Sequence, residues 1–134
     1  MRDYQSTKNN PYFLPRTLYK RMIHLVRDYE RLKIEYHDIL HELPSAQISE
    51  QSPSQSHRTY TSDPTARKAM RLTVVSSDIK AVEQALIIIP PEYRDGIFNN
   101  IAYETRYPDN ASTSTYRYWK PQFLYYVAKN LLHV

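Results

Sequence analysis

The sequence predicts an all-α protein: a long helical hairpin or coiled coil, followed by a compact C-terminal helical unit. Three observations carry this. Apolar residues recur at heptad spacing through two long segments. Glycine occurs once, at Gly96, which leaves an all-β chain without the residue that its primed hairpin turns lean on. Prolines punctuate the periodic segments, marking helix starts and stops.

The elements follow in chain order. Residues 1–14 are polar and read as a flexible N-terminal arm that ends near Pro11 and Pro15. A first helix is predicted over 15–42. Its apolar positions Leu18, Met22, Leu25, Tyr29, Leu32, Tyr36, Ile39 and Leu43 are spaced 4, 3, 4, 3, 4, 3, 4, an unbroken seam with charged residues between. Pro44 closes it. Residues 43–62 are rich in Ser and Gln and lack a buried pattern, so they read as a mobile loop. Asp63 and Pro64 then supply an N-cap and a first helical position. A second helix over 64–89 carries Leu72, Val75, Ile79, Val82, Leu86 and Ile89, and Pro90 and Pro91 end it. Residues 15–90 thus form a coiled-coil unit, folded back on itself or paired with a second copy. Residues 91–134 form the C-terminal unit. One helix runs from Pro91 to about residue 107. A last helix over 113–131 is capped by Ser112 or Thr113 and carries the stripe Tyr116, Trp119, Phe123, Val127 and Leu131. Pro121 is expected to kink or split it after Lys120.

Composition excludes several functions. A chain of 134 residues holds one domain, or one domain and an arm. A single glycine rules out Gly-rich phosphate loops. The absence of cysteine rules out disulfides, thiol nucleophiles and Cys-based zinc sites. The longest apolar run, around Ala85 to Pro91, is too short to span a membrane. No secretory signal opens the chain, so a cytoplasmic location is expected. His37 and His41 are four residues apart and could chelate on one helix face, but the sequence specifies no third ligand. The carboxylate pairs Asp28 with Glu30 and Glu92 with Asp95 sit among basic residues and read as surface ion-pair partners. No Gly-x-Ser-x-Gly accompanies the serines. Neither an enzyme nor a cofactor is expected.

The net charge of +4 is unevenly placed. Beyond Asp109 the chain has no Asp or Glu, yet it carries Arg117, Lys120, Lys129 and His133. Ser112, Thr113, Ser114 and Thr115 open the last helix beside Tyr116 and Tyr118. Free first-turn N–H groups, hydroxyls and then cations suit phosphate docking, with one helix face reading base edges in a major groove. The alternative is a C-terminal core helix with an ordinary solvated face.

Three stretches together resemble a known family. Ser62-Asp63-Pro64-Thr65-Ala66-Arg67-Lys68-Ala69 resembles the helix start of small phage transcriptional regulators of the RinA type. The step from Val82-Glu83-Gln84-Ala85-Leu86 through Pro90-Pro91-Glu92-Tyr93-Arg94 is similar to that family's entry into its C-terminal part. That part looks like the helix-turn-helix of region 4 in bacterial sigma factors. The run from Pro108 to Lys120, continued by Phe123 to Lys129, resembles the recognition helix of such proteins. Where relatives place a short extra helix before the recognition helix, this chain leaves a turn, so 91–106 must supply the supporting helix.

The expected function is that of a phage or prophage DNA-binding transcriptional regulator in the bacterial cytoplasm. Helix 113–131 would dock in the major groove of duplex DNA through Ser112, Thr113, Ser114, Thr115, Arg117, Tyr118 and Lys120. A dimer would form through Leu18, Met22, Leu25, Tyr29, Leu32, Tyr36 and Ile39, pairing two half-sites. RNA polymerase is a candidate further partner. The alternatives are a phage assembly or DNA-packaging component of the small terminase type, and a helical protein–protein adaptor using the Tyr-rich C-terminal helix.

Overall fold

A computed structural model describes Gln5, residues 9–43 and residues 63–134. The predicted mobile loop, apart from Leu43, and half of the predicted arm lie outside the described residues. Five helices and no strand occur among the described residues: α1 (Arg16–Arg27), α2 (Tyr29–Glu42), α3 (Pro64–Ile88), α4 (Pro91–Tyr103) and α5 (Thr113–Asn130). No helix of the structure is long and apolar enough to cross a membrane.

The first predicted helix becomes two, divided only at Asp28. Its backbone stays near the helical region (φ −88°, ψ −3°), and its N–H is shared between the carbonyls of His24 and Leu25 at 3.0 and 3.1 Å. Arg31 donates two bonds to the Asp28 carboxylate, at 2.7 and 2.6 Å. The division falls where the helix changes neighbours. α1 packs on α4 and α5, whereas α2 packs on α3. The pairs Tyr29–Glu83, Glu35–Arg71 and Glu42–Lys68 advance along α2 while receding along α3, so these two helices run antiparallel. Of the residues expected to pair two copies, Met22, Tyr29, Leu32 and Ile39 are buried within the single chain, while Leu18, Leu25 and Tyr36 are half-buried. The heptad pattern here largely records burial against α3, α4 and α5.

α5 is the centre of the main core. Its Tyr116, Phe123, Leu124 and Val127 are fully buried among Met22 and Ile23 of α1, Val82 of α3 and Ile89 just past its end, and Ile97 and Ile101 of α4. Each such side chain contributes about 1.5–3 kcal/mol. Ala81 and Ala85, one turn apart on α3 and both buried, keep that face low where α5 lies against it. Asn130 adds a bond from its side-chain amide to the Ala81 carbonyl at 3.0 Å. The core also takes in Leu14, which is fully buried; Gln5 bonds both its N–H and its carbonyl, and Tyr12 packs edge-on against Tyr125. The end of the predicted arm is thus docked on the helices.

Helix ends are satisfied locally. Asp63 caps α3 by accepting from Thr65 N–H at 3.0 Å, with Pro64 at the first position. Arg94 reaches back to the carbonyls of Ile89 and Ile87 at 2.8 and 3.0 Å, groups the end of α3 leaves without helical partners. α4 stops at Tyr103, earlier than the predicted 107, because Glu104 turns left-handed (φ 56°). Leu132 does the same after α5 (φ 63°), where glycine is the usual choice. Pro121 does not split α5. Its ring removes one helical donor, and the carbonyl thereby freed is that of Arg117, an exposed residue where water can serve it.

One carboxylate is held against its preference. Asp78 of α3 faces a hollow lined by Arg21, His24, Asp28 and His133. Burial pushes its carboxyl above the usual range, Arg71 pulls it back, Asp28 raises it and His133 lowers it. A raised native value means that the ionised form opposes folding once pH climbs past it. Asp78→Asn is therefore expected to raise the melting temperature near pH 7, an advantage that vanishes below about pH 3, where the aspartate is neutral in both states. Thermal melts of both proteins at the two pH values check this. Asp28 and Glu35 act in the opposite sense. Hydrogen bonds from Arg31 and Arg71 hold their carboxyls low, so their contribution is lost as pH falls.

Candidate nucleic-acid interface

The first two turns of α5 bring most of the predicted contact residues together. Ser112 is the N-cap in extended conformation; its hydroxyl accepts from Thr115 N–H at 3.3 Å and lies 3.1 Å from the Thr115 hydroxyl. These two hydroxyls thus order the helix start. Thr113 and Ser114 are exposed in the first turn, beside N–H groups that have no helical acceptor. Arg117 and Tyr118 follow one turn on. Both are exposed, Tyr118 at 62%, and the Tyr118 ring meets Trp119 edge-on at 5.0 Å.

Lys120 departs from this group. It is half-buried, and its ammonium donates to the side-chain oxygen of Asn100 on α4 at 3.1 Å. Asn100 is buried and its amide donates to the Thr105 carbonyl at 2.8 Å. The chain Lys120–Asn100–Thr105 ties α5 to the end of α4. Lys120 therefore acts as a positioning residue in this geometry, with its charge directed at the protein. Sequence spacing alone places it among the cations, because its partner lies twenty residues back on another helix.

A ring cluster orients the interface from below. Tyr116 is fully buried, stacked on Tyr107 with 4.8 Å between centroids and 7° between planes, and met edge-on by Tyr93 at 5.5 Å. Its hydroxyl donates to the Asn110 side chain, and Asn110 in turn donates to the Glu92 carbonyl at 3.0 Å. Burial raises the Tyr107 phenol above its ordinary range, partly offset by the nearby Arg117 charge. Gly96 lets this cluster form: a Cβ there would lie 2.7 Å from both Tyr116 and Pro108. The one signal for Gly96 in the sequence is its being the sole glycine. Asn100, Asn110 and Pro108 carry none.

The α4–α5 connection, residues 104–112, is longer than the roughly three- or four-residue turn of a helix-turn-helix. Among the described residues no three His, Asp or Glu side chains form a metal-ligand group, and His37 and His41 are exposed on α2. Compared with known proteins, the chain matches no family model, and no curated protein or solved structure is significantly similar to it.

Proposed function

We propose that the protein is a DNA-binding transcriptional regulator of phage or prophage type, acting in the bacterial cytoplasm through the first two turns of α5. The observation that carries this reading is the sidedness of α5. Its rings at Tyr116 and Phe123 are buried inside their own chain, while Thr113, Ser114, Arg117 and Tyr118 face outward on a segment without acidic residues. First-turn amides and hydroxyls meet phosphate, and Arg117 meets phosphate or a guanine edge. The phage-regulator part of the reading, and RNA polymerase as a further partner, rest on the family resemblance. With Lys120 engaged by Asn100, the direct contact set is Ser112, Thr113, Ser114, Thr115, Arg117 and Tyr118. Met22, Tyr29, Leu32 and Ile39 of the first-helix seam are buried within the chain, so a dimer draws on another surface than these four.

Fluorescence anisotropy with a labelled duplex in about 50 mM salt tests this. Arg117→Ala is expected to weaken binding about tenfold at unchanged helical content, within the range of one good side-chain contact. The wild-type salt dependence should be shallow, a log–log slope of about −1 to −2, since few phosphates are met per chain. Equal binding by the variant and the wild type would refute this face.

Exposed Ile34, Met70 and Val74, at 63%, 69% and 50%, favour a second reading, an assembly component of the DNA-packaging type. A solution mass many times that of one chain would select it.

A further inference from the structure

The antiparallel pair α2–α3 has two unlike flanks. On one, charges are matched: Arg31 with Asp28 and Glu35, Arg71 with Glu35 at 2.6 Å, and Lys68 with Glu42 at 2.8 Å. The other flank opens into two adjoining hollows of about 280 and 520 Å³ that share Tyr36, Ser76 and Lys80. The smaller is also lined by Lys33, His37 and Glu83.

Helical spacing converges these groups. Lys33 and His37 stand one turn apart on α2, and Ser76 and Lys80 one turn apart on α3; both pairs line the same hollow. Among the described residues, Tyr36, Ser76 and Lys80 have no hydrogen-bond or ion-pair partner, although Tyr36 and Ser76 are half-buried. Of the nearby acids, Glu83 lines the hollow and accepts the Tyr29 hydroxyl at 2.5 Å, and Glu30 pairs with Lys33 at 3.6 Å, which leaves Lys80 as a cation with no acid paired to it among the described residues. The hollow thus presents donors in excess of acceptors, over an apolar floor that includes Leu72 and Ile79. An oxyanion with several acceptor oxygens satisfies such a set, and a space of this size takes a small organic body.

We propose that this groove binds a small phosphate monoester with an aromatic body, its phosphate between Lys80, Ser76 and the Lys33–His37 turn and its ring beside Tyr36. The proposal is independent of the nucleic-acid reading.

Isothermal titration of the full chain with phenyl phosphate tests it. Binding is expected with Kd of about 0.1–1 mM, in line with the efficiency of a ligand this small. Lys80→Ala and Ser76→Ala should each weaken it about tenfold, the effect of losing one charge-assisted contact. Lys68→Ala, on the ion-paired flank, should leave it unchanged. Lys80 is exposed and alanine favours a helix, so the variant folds, as circular dichroism will verify. No saturable heat, or equal binding by the Lys80→Ala protein, would overturn the site. Inorganic phosphate binding as tightly as phenyl phosphate would overturn the aromatic body.

Discussion

Tyr116→Ala is expected to lower the unfolding free energy by about 3–5 kcal/mol, the cost of emptying a large aromatic site in a packed core. Tyr116 is fully buried, and its removal ends the stack on Tyr107, the edge contact with Tyr93 and the bond to Asn110 together. A domain of this size holds about 5–15 kcal/mol in all, so the variant should unfold at markedly lower denaturant. Tyr116→Phe separates the components. It keeps the ring and loses only the hydroxyl's bond, so about 1 kcal/mol is expected. Urea unfolding of the three proteins gives both values. A cost under about 1 kcal/mol for alanine would mean that the ring cluster does not anchor α5, since loss of a packed aromatic cannot be so cheap.

Gly96→Ala is the second large effect, and its sign is informative. Helix propensity alone favours alanine inside a helix by about 0.5–1 kcal/mol. Here the new methyl would sit 2.7 Å from Tyr116 and from Pro108. The Tyr116 ring is held on both sides and cannot withdraw without opening the core. Overpacking of this kind costs about 1–3 kcal/mol, so net destabilisation is expected. Combined with Tyr116→Ala, which clears one of the two close contacts and leaves Pro108, the Gly96→Ala penalty should shrink, the coupling expected of residues in contact. Independent, additive penalties would contradict the close approach of α4 and α5.

Much of the local structure is readable from the chain. The heptad spacings mark both long helical segments, Asp63 with Pro64 marks the start of α3, and Ser112 marks that of α5. What periodicity cannot say is what buries a seam. Leu18 to Leu43 reads as one continuous stripe, yet the part before Asp28 meets α4 and α5 and the part after it meets α3. A dimer seam and an internal one have the same spacing, because both are simply apolar faces.

The misplaced details have physical causes of the same kind. α4 ends at Tyr103 through a left-handed Glu104, a conformation that the sequence would advertise only with glycine or asparagine. Pro121 is tolerated because the carbonyl it orphans belongs to an exposed residue. Lys120 looks like its neighbour Arg117 in a charge count. It turns inward because Asn100, buried on α4, presents an acceptor to it. Ser112, Thr113, Ser114, Thr115, Arg117 and Tyr118 fall together as their spacing implies. The ring cluster beneath them depends on tertiary partners at Gly96, Pro108 and Asn110, which no local pattern reveals.

The proposed DNA-binding function turns on which side of α5 meets a polyanion. The most direct measurement is a map of backbone amide shifts as a short duplex is titrated into the isotope-labelled protein in low salt. Saturable shifts concentrated on residues 112–118 are expected, with the amides around Lys120 and Asn100 following only weakly. Shifts confined to the α2–α3 pair, or no saturable shift at all, would contradict it.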